Sequence, residues 1–115
     1  MKILVCGSRE WTDKNKIKKE LSKYSKEDVL IHGGCRGADK LAGEVGKELG
    51  MKIEVYYADW KTHGKKAGPL RNQQMLDEGK PDKVYAFHED IDSSKGTKDM
   101  VNRAKKEKLE IKIVS

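Results

Sequence analysis

A glycine-rich stretch in this sequence has the residue types and spacing needed to bind an anion. The apolar residues Val29–Ile31 are predicted to end a buried strand, and Gly33, Gly34 and Gly37 follow at once. A strand, a glycine-rich turn and a helix in this order direct backbone N–H groups and a helix N-terminus at an anion. Arg36 lies inside the turn, and its planar guanidinium matches a phosphate or a carboxylate. We interpret the turn as the floor of a phosphate-recognising site, and the alternative is a tight strand–helix connection.

Arginine is used sparingly and in particular places. Lys and Arg together number 25, only four of them are Arg, and Arg9, Arg36 and Arg71 lie in or beside glycine-containing turns. Lysine makes the surface charged, whereas arginine stands where the geometry of hydrogen bonds matters. The net charge of +6 favours an anionic partner such as a nucleic acid or a smaller phosphate compound.

The elements that must position these residues are five short apolar runs that alternate with helical patterns. The runs are continuous, as expected of parallel strands with both faces covered. The fold class is therefore predicted to be a three-layer α/β domain with a five-stranded, mainly parallel sheet and helices on both faces. The predicted strands are Ile3–Cys6, Asp28–Ile31, Ile53–Tyr57, Val84–Phe87 and Ile111–Val114. The predicted helices follow a cap at Thr12 or Asp13, run over Ala38–Gly50 and Leu70–Glu78, and follow a cap at Thr97, with a long loop over Ala58–Gly68.

Ligands of open parallel sheets bind beyond the carboxyl ends of the strands, and this rule selects the candidate residues. Glycines let the backbone approach a ligand, cations attract phosphate, tryptophans offer a flat face to a base, and carboxylates accept from ribose hydroxyls. Together these groups describe a nucleotide or a ribose-phosphate derivative. The predicted ligand-binding residues are Gly7, Ser8, Arg9, Trp11, Gly33, Gly34, Arg36, Gly37, Asp39, Asp59, Trp60, Arg71, Asn72, Lys95, Gly96 and Thr97.

Each of these residues also has a structural interpretation. Asp39 can cap or stabilise the second helix, and it would repel phosphate unless it faces a hydroxyl. Trp11 and Trp60 can cover the edge of the sheet, and Asn72 can hydrogen-bond a loop. The set as a whole favours a ligand more strongly than any single member does.

Named nucleotide and catalytic motifs are missing. The sequence has no Walker A motif, and the turn lacks the first glycine of G-x-G-x-x-G and follows the second strand. His32, His63 and His88 have no metal-ligand spacing, so we predict neither a metal nor a cofactor. Ser8 does not stand in a nucleophile elbow.

Length and composition predict one domain over residues 1–115. No apolar run approaches the roughly 18 residues of a membrane span, so no membrane partner is expected. The apolar start, Met1–Gly7, is too short for a signal peptide. Cys6 and Cys35 fit neither a zinc site nor a disulfide framework. We expect a cytoplasmic protein with reduced thiols.

Five motifs, taken in order, resemble the YspA-type (cpYpsA-related) branch of the SLOG superfamily over nearly the whole chain. They read VCGSREW from Val5, IHGGCRGAD from Ile31, ADW from Ala58, AGPLRNQQM from Ala67 and KGT from Lys95. Relatives in this superfamily include LOG-type phosphoribohydrolases, molybdenum-cofactor carrier proteins, the DNA-processing protein DprA and sensor domains for NAD-derived signals. The resemblance implies a Rossmann-like fold and a nucleotide-derived ligand lying across Gly7–Arg9, Gly33–Asp39 and Gly96–Thr97.

The catalytic signature of the LOG-type enzymes is only partly matched. Their P-G-G-x-G-T-x-E-E motif keeps Gly96 and Thr97 here, with Asp99 at one acidic position and Met100 at the other. Cleavage of an N-glycosidic bond needs a carboxylate near the anomeric carbon. The resemblance implies Asp99 or Asp39 for that role, with Arg71 positioning a phosphate.

Three functions follow as expectations. The first is a sensor or sequestering module for a nucleoside phosphate, an ADP-ribose or NAD-derived compound, or a cyclic nucleotide. The second is a phosphoribohydrolase-like enzyme, and the third is DprA-like DNA binding. Relatives suggest a homo-oligomer. A nucleotide ligand should stabilise the chain against heat, and Arg36→Ala should abolish that effect.

Overall fold

A computed structural model describes all 115 residues of the chain. The strands are β1 (Lys2–Gly7), β2 (Val29–His32), β3 (Lys52–Val55), β4 (Lys83–Phe87) and β5 (Glu110–Val114). The helices are α1 (Lys14–Leu21), α2 (Ala38–Glu48), α3 (Trp60–His63), α4 (Ala67–Gln74) and α5 (Gly96–Lys106). A π-helical turn, Met75–Gly79, extends α4, and 3₁₀ turns occur at Gly64–Lys66 and Ile91–Ser93.

The five strands form one sheet in the order β3-β2-β1-β4-β5, and all four pairings are parallel. The predicted α/β fold is therefore confirmed. The chain passes from β1 to β2 on one side and later crosses to β4 on the other side of β1. This arrangement makes the crevice between β1 and β4 the topological switch point of the sheet.

The central strand β1 is buried on both faces, as its continuous apolar run predicts. Ile3 and Val5 join a core that α1 and α2 cover, whereas Leu4 and Cys6 join a second core under α4 and α5. Ile3, Leu4 and Val5 have no exposed surface. Burial of each such aliphatic side chain contributes about 1.5–3 kcal/mol, which fixes the strand whose end carries the site.

Most predicted strand ends differ by one or two residues from the structure, and three differences lie close to the carboxyl edge. The Ala58–Gly68 loop holds α3 because the Asp59 carboxylate caps it, accepting a 3.1 Å hydrogen bond from Thr62 N. Helix α4 begins at Ala67, three residues before the predicted start. Thr97 is not a helix cap: α5 begins at Gly96, and Ser94 Oγ accepts from Thr97 N at 3.1 Å. None of the helices combines the length and the apolar composition that a membrane span requires.

Candidate functional site

A cleft of about 230 Å³ opens at the switch point, and we call it the switch-point cleft. It lies beyond the carboxyl ends of β1 and β4, beside the first turn of α5. Its lining is mostly polar and comes from the loops after these strands and from α2, α4 and α5: Cys6, Gly7, Ser8, Arg9, Asp39, Asn72, Met75, His88, Ser94, Gly96 and Thr97.

Ser8 joins the loop after β1 to three neighbouring segments. Its N–H donates to Phe87 O at 2.8 Å, and its carbonyl accepts from Ala38 N at 3.0 Å. Its Oγ accepts from Glu10 N at 3.0 Å and donates to Glu89 Oε1 at 3.2 Å. These bonds fix the backbone of the cleft floor at the end of β1.

The first turn of α5 supplies the other side of the cleft. A Cβ added at Gly96 would meet no protein atom within 4 Å, so the backbone is open to a ligand here. Thr97 is 6% exposed and lies next to it. The N-terminus of this 11-residue helix carries a partial positive charge that favours an anion.

Asp39 is the one carboxylate that lines the cleft. Its Oδ2 accepts from Gly33 N at 3.0 Å and from Cys35 N at 3.3 Å. Burial raises the pKa of Asp39 to about 6, although these amides and the Arg71 guanidinium favour the charged form. The carboxyl therefore titrates closer to neutrality than an exposed aspartate.

The glycine turn after β2 differs from the expected phosphate floor. The N–H groups of Gly33 and Cys35 are bound to Asp39, and that of Gly34 donates to His32 Nδ1 at 3.0 Å. The chain's own side chains therefore satisfy these amides, which corrects the expectation that they point at an anion. Gly37 has φ +75°, and a Cβ there would strike the backbone of Ser8 and Arg9. The turn mainly allows this close approach of two backbones.

Arg71 has a structural position. Its Nη1 donates to Gly33 O at 2.6 Å and to Tyr56 O at 3.4 Å, and its Nε donates to Asn72 Oδ1 at 3.1 Å. The guanidinium is thus engaged between α4 and the ends of β2 and β3. It does not line the switch-point cleft, and its role in positioning a phosphate stays a prediction.

Asp99 lies outside the cleft, in a groove between α4 and α5. Its Oδ2 accepts from Asn72 Nδ2 at 3.0 Å and from Arg103 Nε at 2.8 Å. Asn72 does line the cleft and donates a second bond to Gly96 O at 3.3 Å. Asp99 therefore contacts the cleft lining only by holding the Asn72 amide. Asp39 is the only predicted catalytic carboxylate that lines the cleft.

Arg9 and Trp60 form a pair at the rim. Arg9 lines the cleft, and its Cζ lies 5.8 Å from the centre of the Trp60 ring. Trp60 is 49% exposed, and the other end of its ring lies near Gly68. The geometry is that of a cation–π contact, which restrains the guanidinium beside the cleft.

Besides Arg71, Trp60 and the three glycines of the turn after β2, four further predicted ligand residues do not line the cleft. Trp11 is buried against Phe87 with ring centres 5.7 Å apart, and its Nε1 donates to Asp13 O. Its ring face is therefore not available for a base. Asp59 caps α3, and Lys95 precedes α5 without lining the cleft.

Arg36 is the fourth of these predicted ligand residues that do not line the switch-point cleft. Its Nη2 lies 2.6 Å from Glu10 Oε1, and 70% of its side chain is exposed. It borders a different cleft between α2 and β3, shared with Gly34. Gly33 and Gly37 lie in the turn that separates the two clefts. Arg36 thus borders a different cleft from Ser8 and Thr97, and its part in ligand binding stays a prediction.

Four lining residues are absent from the predicted ligand set. His88 and Ser94 follow β4; the carboxyl-edge rule already places His88 at this edge of the sheet, and it could have selected Ser94 as well. Cys6 and Met75 gave no signal because their apolar surroundings mark them as core residues. Burial raises the pKa of the Cys6 thiol, and the charge of Asp39 raises it further. Cys6 is therefore a neutral, unreactive part of the cleft wall.

Comparisons with known proteins define the class. The family model described as "YspA, cpYpsA-related SLOG family" (YAcAr) matches residues 1–63. The chain belongs to this family, as its motifs indicate. It is also 36% identical over 114 residues to the Gene 61 protein of Mycobacterium phage D29, covering 91% of this chain and 89% of that protein.

A solved structure shares the fold. The structure of DNA processing protein A (DprA) from Streptococcus pneumoniae superimposes with a TM-score of 0.81 at 16% identity. The match covers 99% of this chain and 50% of that chain, so the chain spans half the length of this relative. At this identity the likeness establishes the Rossmann-like α/β fold.

Proposed function

We propose that the protein binds a nucleotide-derived small molecule in the switch-point cleft and acts as a sensor or sequestering module. The observation that carries the proposal is the position of the cleft, between β1 and β4 and beside the N-terminus of α5. Parallel α/β sheets bind nucleotides at this point because the loops that leave the two strands run to opposite faces of the sheet. The gap between these loops faces a helix N-terminus.

The groups of the cleft suit a phosphate joined to a ribose. The open backbone at Gly96, the α5 N-terminus and Arg9 favour negative charge. Asp39 offers an acceptor for a ribose hydroxyl. A volume of about 230 Å³ accommodates part of a nucleotide, so the remainder would extend along the rim toward Arg9 and Trp60.

The test is a panel of nucleoside monophosphates, cyclic nucleotides, NAD and ADP-ribose in thermal unfolding and calorimetry. At least one member should stabilise the fold, by about 2.7 kcal/mol at a hundredfold excess over Kd. Gly96→Val should fold normally because a side chain meets open space there, and it should lose the stabilisation because it obstructs the α5 N-terminus. No stabilisation by any member would contradict the proposal.

One observation favours cleavage of an N-glycosidic bond as a second candidate. Asp39 faces the cleft, is 6% exposed and has a pKa raised to about 6. A carboxylate near an anomeric carbon stabilises an oxocarbenium-like transition state. Chromatography of each panel member after incubation tests this candidate: release of free base by the wild type and not by Asp39→Asn would select the enzyme.

DNA binding is the remaining candidate, favoured by the net charge of +6 and by the name of the structural relative. Fluorescence anisotropy with single-stranded DNA tests it. Such binding should weaken steeply as salt rises and should be indifferent to Gly96→Val and to nucleotides.

A further inference from the structure

A second cleft, of about 540 Å³, lies between α2 and the edge strand β3 on the far side of the glycine turn. We call it the α2–β3 cleft. Ile53 and Val55 form its apolar floor, the ring of Tyr57, 72% exposed, adds an apolar edge, and its rim carries Arg36, Lys40 and Lys47. Such a combination of an apolar floor with a cationic rim is typical of small-molecule sites.

His32 provides an independent sign of a ligand. The residue is 7% exposed, and its Nδ1 accepts the N–H of Gly34 at 3.0 Å. The proton of the neutral ring is therefore on Nε2. Burial lowers the pKa of His32 and Arg71 lowers it further, so the ring is neutral near pH 7.

Nε2 of His32 makes no hydrogen bond within the protein, and since no buried side-chain nitrogen or oxygen lacks a partner, this atom is open to the cleft that His32 lines. Gly43 of α2 leaves the space beside it, since a Cβ at that position would lie 3.0 Å from Nε2. The ring is mostly buried, but its Nε2–H is open at the wall of the cleft. It is therefore a fixed donor for an acceptor that enters the cleft from outside the chain.

We propose that the α2–β3 cleft binds an organic anion with an apolar body, separately from the switch-point cleft. Its oxyanion accepts from His32 Nε2–H between Lys40 and Lys47, and its apolar part rests on Val55 and Tyr57. Glu44 is the one acid in the lining, and it disfavours ligands with a high negative charge at that end. The site therefore favours one phosphate or carboxylate group on an aromatic or aliphatic body.

The test uses the full chain, phenyl phosphate as the probe, and ¹⁵N NMR of the histidine rings and backbone amides. Saturable shifts are expected at His32 Nε2 and at the amides of Gly34 and Gly43. The exchange Lys40→Glu with Lys47→Glu should weaken binding by at least about tenfold, because it reverses the charge of the rim. Lys19→Glu with Lys105→Glu makes the same change of net charge at exposed positions away from both clefts and should leave affinity unchanged.

Inorganic phosphate should bind more weakly than phenyl phosphate because it leaves the apolar floor uncovered; equal affinity would overturn the assignment of an apolar body. No saturable His32 shift up to about 10 mM probe, a range that covers even weak binding, would overturn the site. Shifts confined to Ser8 and Thr97 would overturn it too, because the probe would then occupy the switch-point cleft. Failure of this test would not contradict the proposed nucleotide binding, because that proposal is tested by stabilisation that Gly96→Val removes at the switch-point cleft.

Discussion

Arg71 Nη1 donates a 2.6 Å hydrogen bond to the carbonyl oxygen of Gly33, and this bond ties α4 to the glycine turn after β2. The same guanidinium reaches Tyr56 O and Asn72 Oδ1. The residue that sequence reasoning assigned to a phosphate thus holds together the segments between the two clefts.

Arg71→Ala should lower the free energy of unfolding by about 1.5–3 kcal/mol, the usual cost of losing hydrogen bonds from a charged donor. Urea denaturation of the free protein measures this effect. Arg36→Ala is the matched control, because Arg36 is 70% exposed and pairs only with Glu10; its effect should stay within about 0.5 kcal/mol. Equal stability of the two variants would contradict the clamping role.

Gly37→Ala should be strongly destabilising, by more than about 2 kcal/mol, because positive φ and a collision with the backbone of Ser8 and Arg9 act together. Gly64→Ala supplies the comparison. Gly64 has a similar backbone conformation, with φ +55°, but its Cβ would meet nothing within 4 Å, so only the backbone cost of about 1–3 kcal/mol that both sites share applies, and its loss should be the smaller. Thermal or urea unfolding of both variants measures the difference, and similar losses would show that the close approach at Gly37 is unimportant.

The titration of Asp39 should make stability depend on pH. Burial raises its pKa from 3.8 to about 6, so the folded state binds more protons than the unfolded state between these values. The stability contributed by this group is therefore present at low pH and falls as the pH rises from about 4 to 6, by at most about 3 kcal/mol.

Asp39→Asn keeps an oxygen for the amides of Gly33 and Cys35 but cannot ionise. The difference in unfolding free energy between the wild type and this variant, measured from pH 4 to 7, should follow the predicted fall. A difference that does not change with pH would refute the raised pKa.

Trp60→Ala should weaken binding of the nucleotide ligand about two- to fivefold, since an exposed cation–π contact that restrains Arg9 is worth about 0.5–1 kcal/mol. Calorimetry with the best member of the panel measures the loss. Leu70→Ala removes another half-exposed apolar side chain, away from the cleft, and should have no effect. A loss of about a hundredfold at Trp60 would contradict this positioning role and indicate direct stacking of a base.

The five strands could be predicted from sequence because local composition decides them. Ile3–Val5 form a continuous apolar run, and only a strand covered on both faces uses such a run. The carboxyl-edge rule then located Ser8, Gly96 and Thr97 at one cleft, because chain position alone places loops at a sheet edge.

The direction of long side chains could not be predicted. Arg36 lies in the glycine turn, and Arg71 contacts it. The Arg36 side chain extends to solvent and Glu10, whereas that of Arg71 points inward to Gly33 O. Trp11 is buried because its ring packs against Phe87 of the distant strand β4. These outcomes depend on contacts between distant segments, which residue types and spacing do not determine.

The central claim is that a nucleotide-derived ligand occupies the switch-point cleft. Its most direct test is ¹H–¹⁵N mapping of the full chain with the tightest-binding member of the panel. The account predicts saturable shifts centred on the amides of Ser8, Arg9, Gly96 and Thr97, abolished by Gly96→Val. Saturable shifts centred elsewhere, or none with any member of the panel, would contradict it.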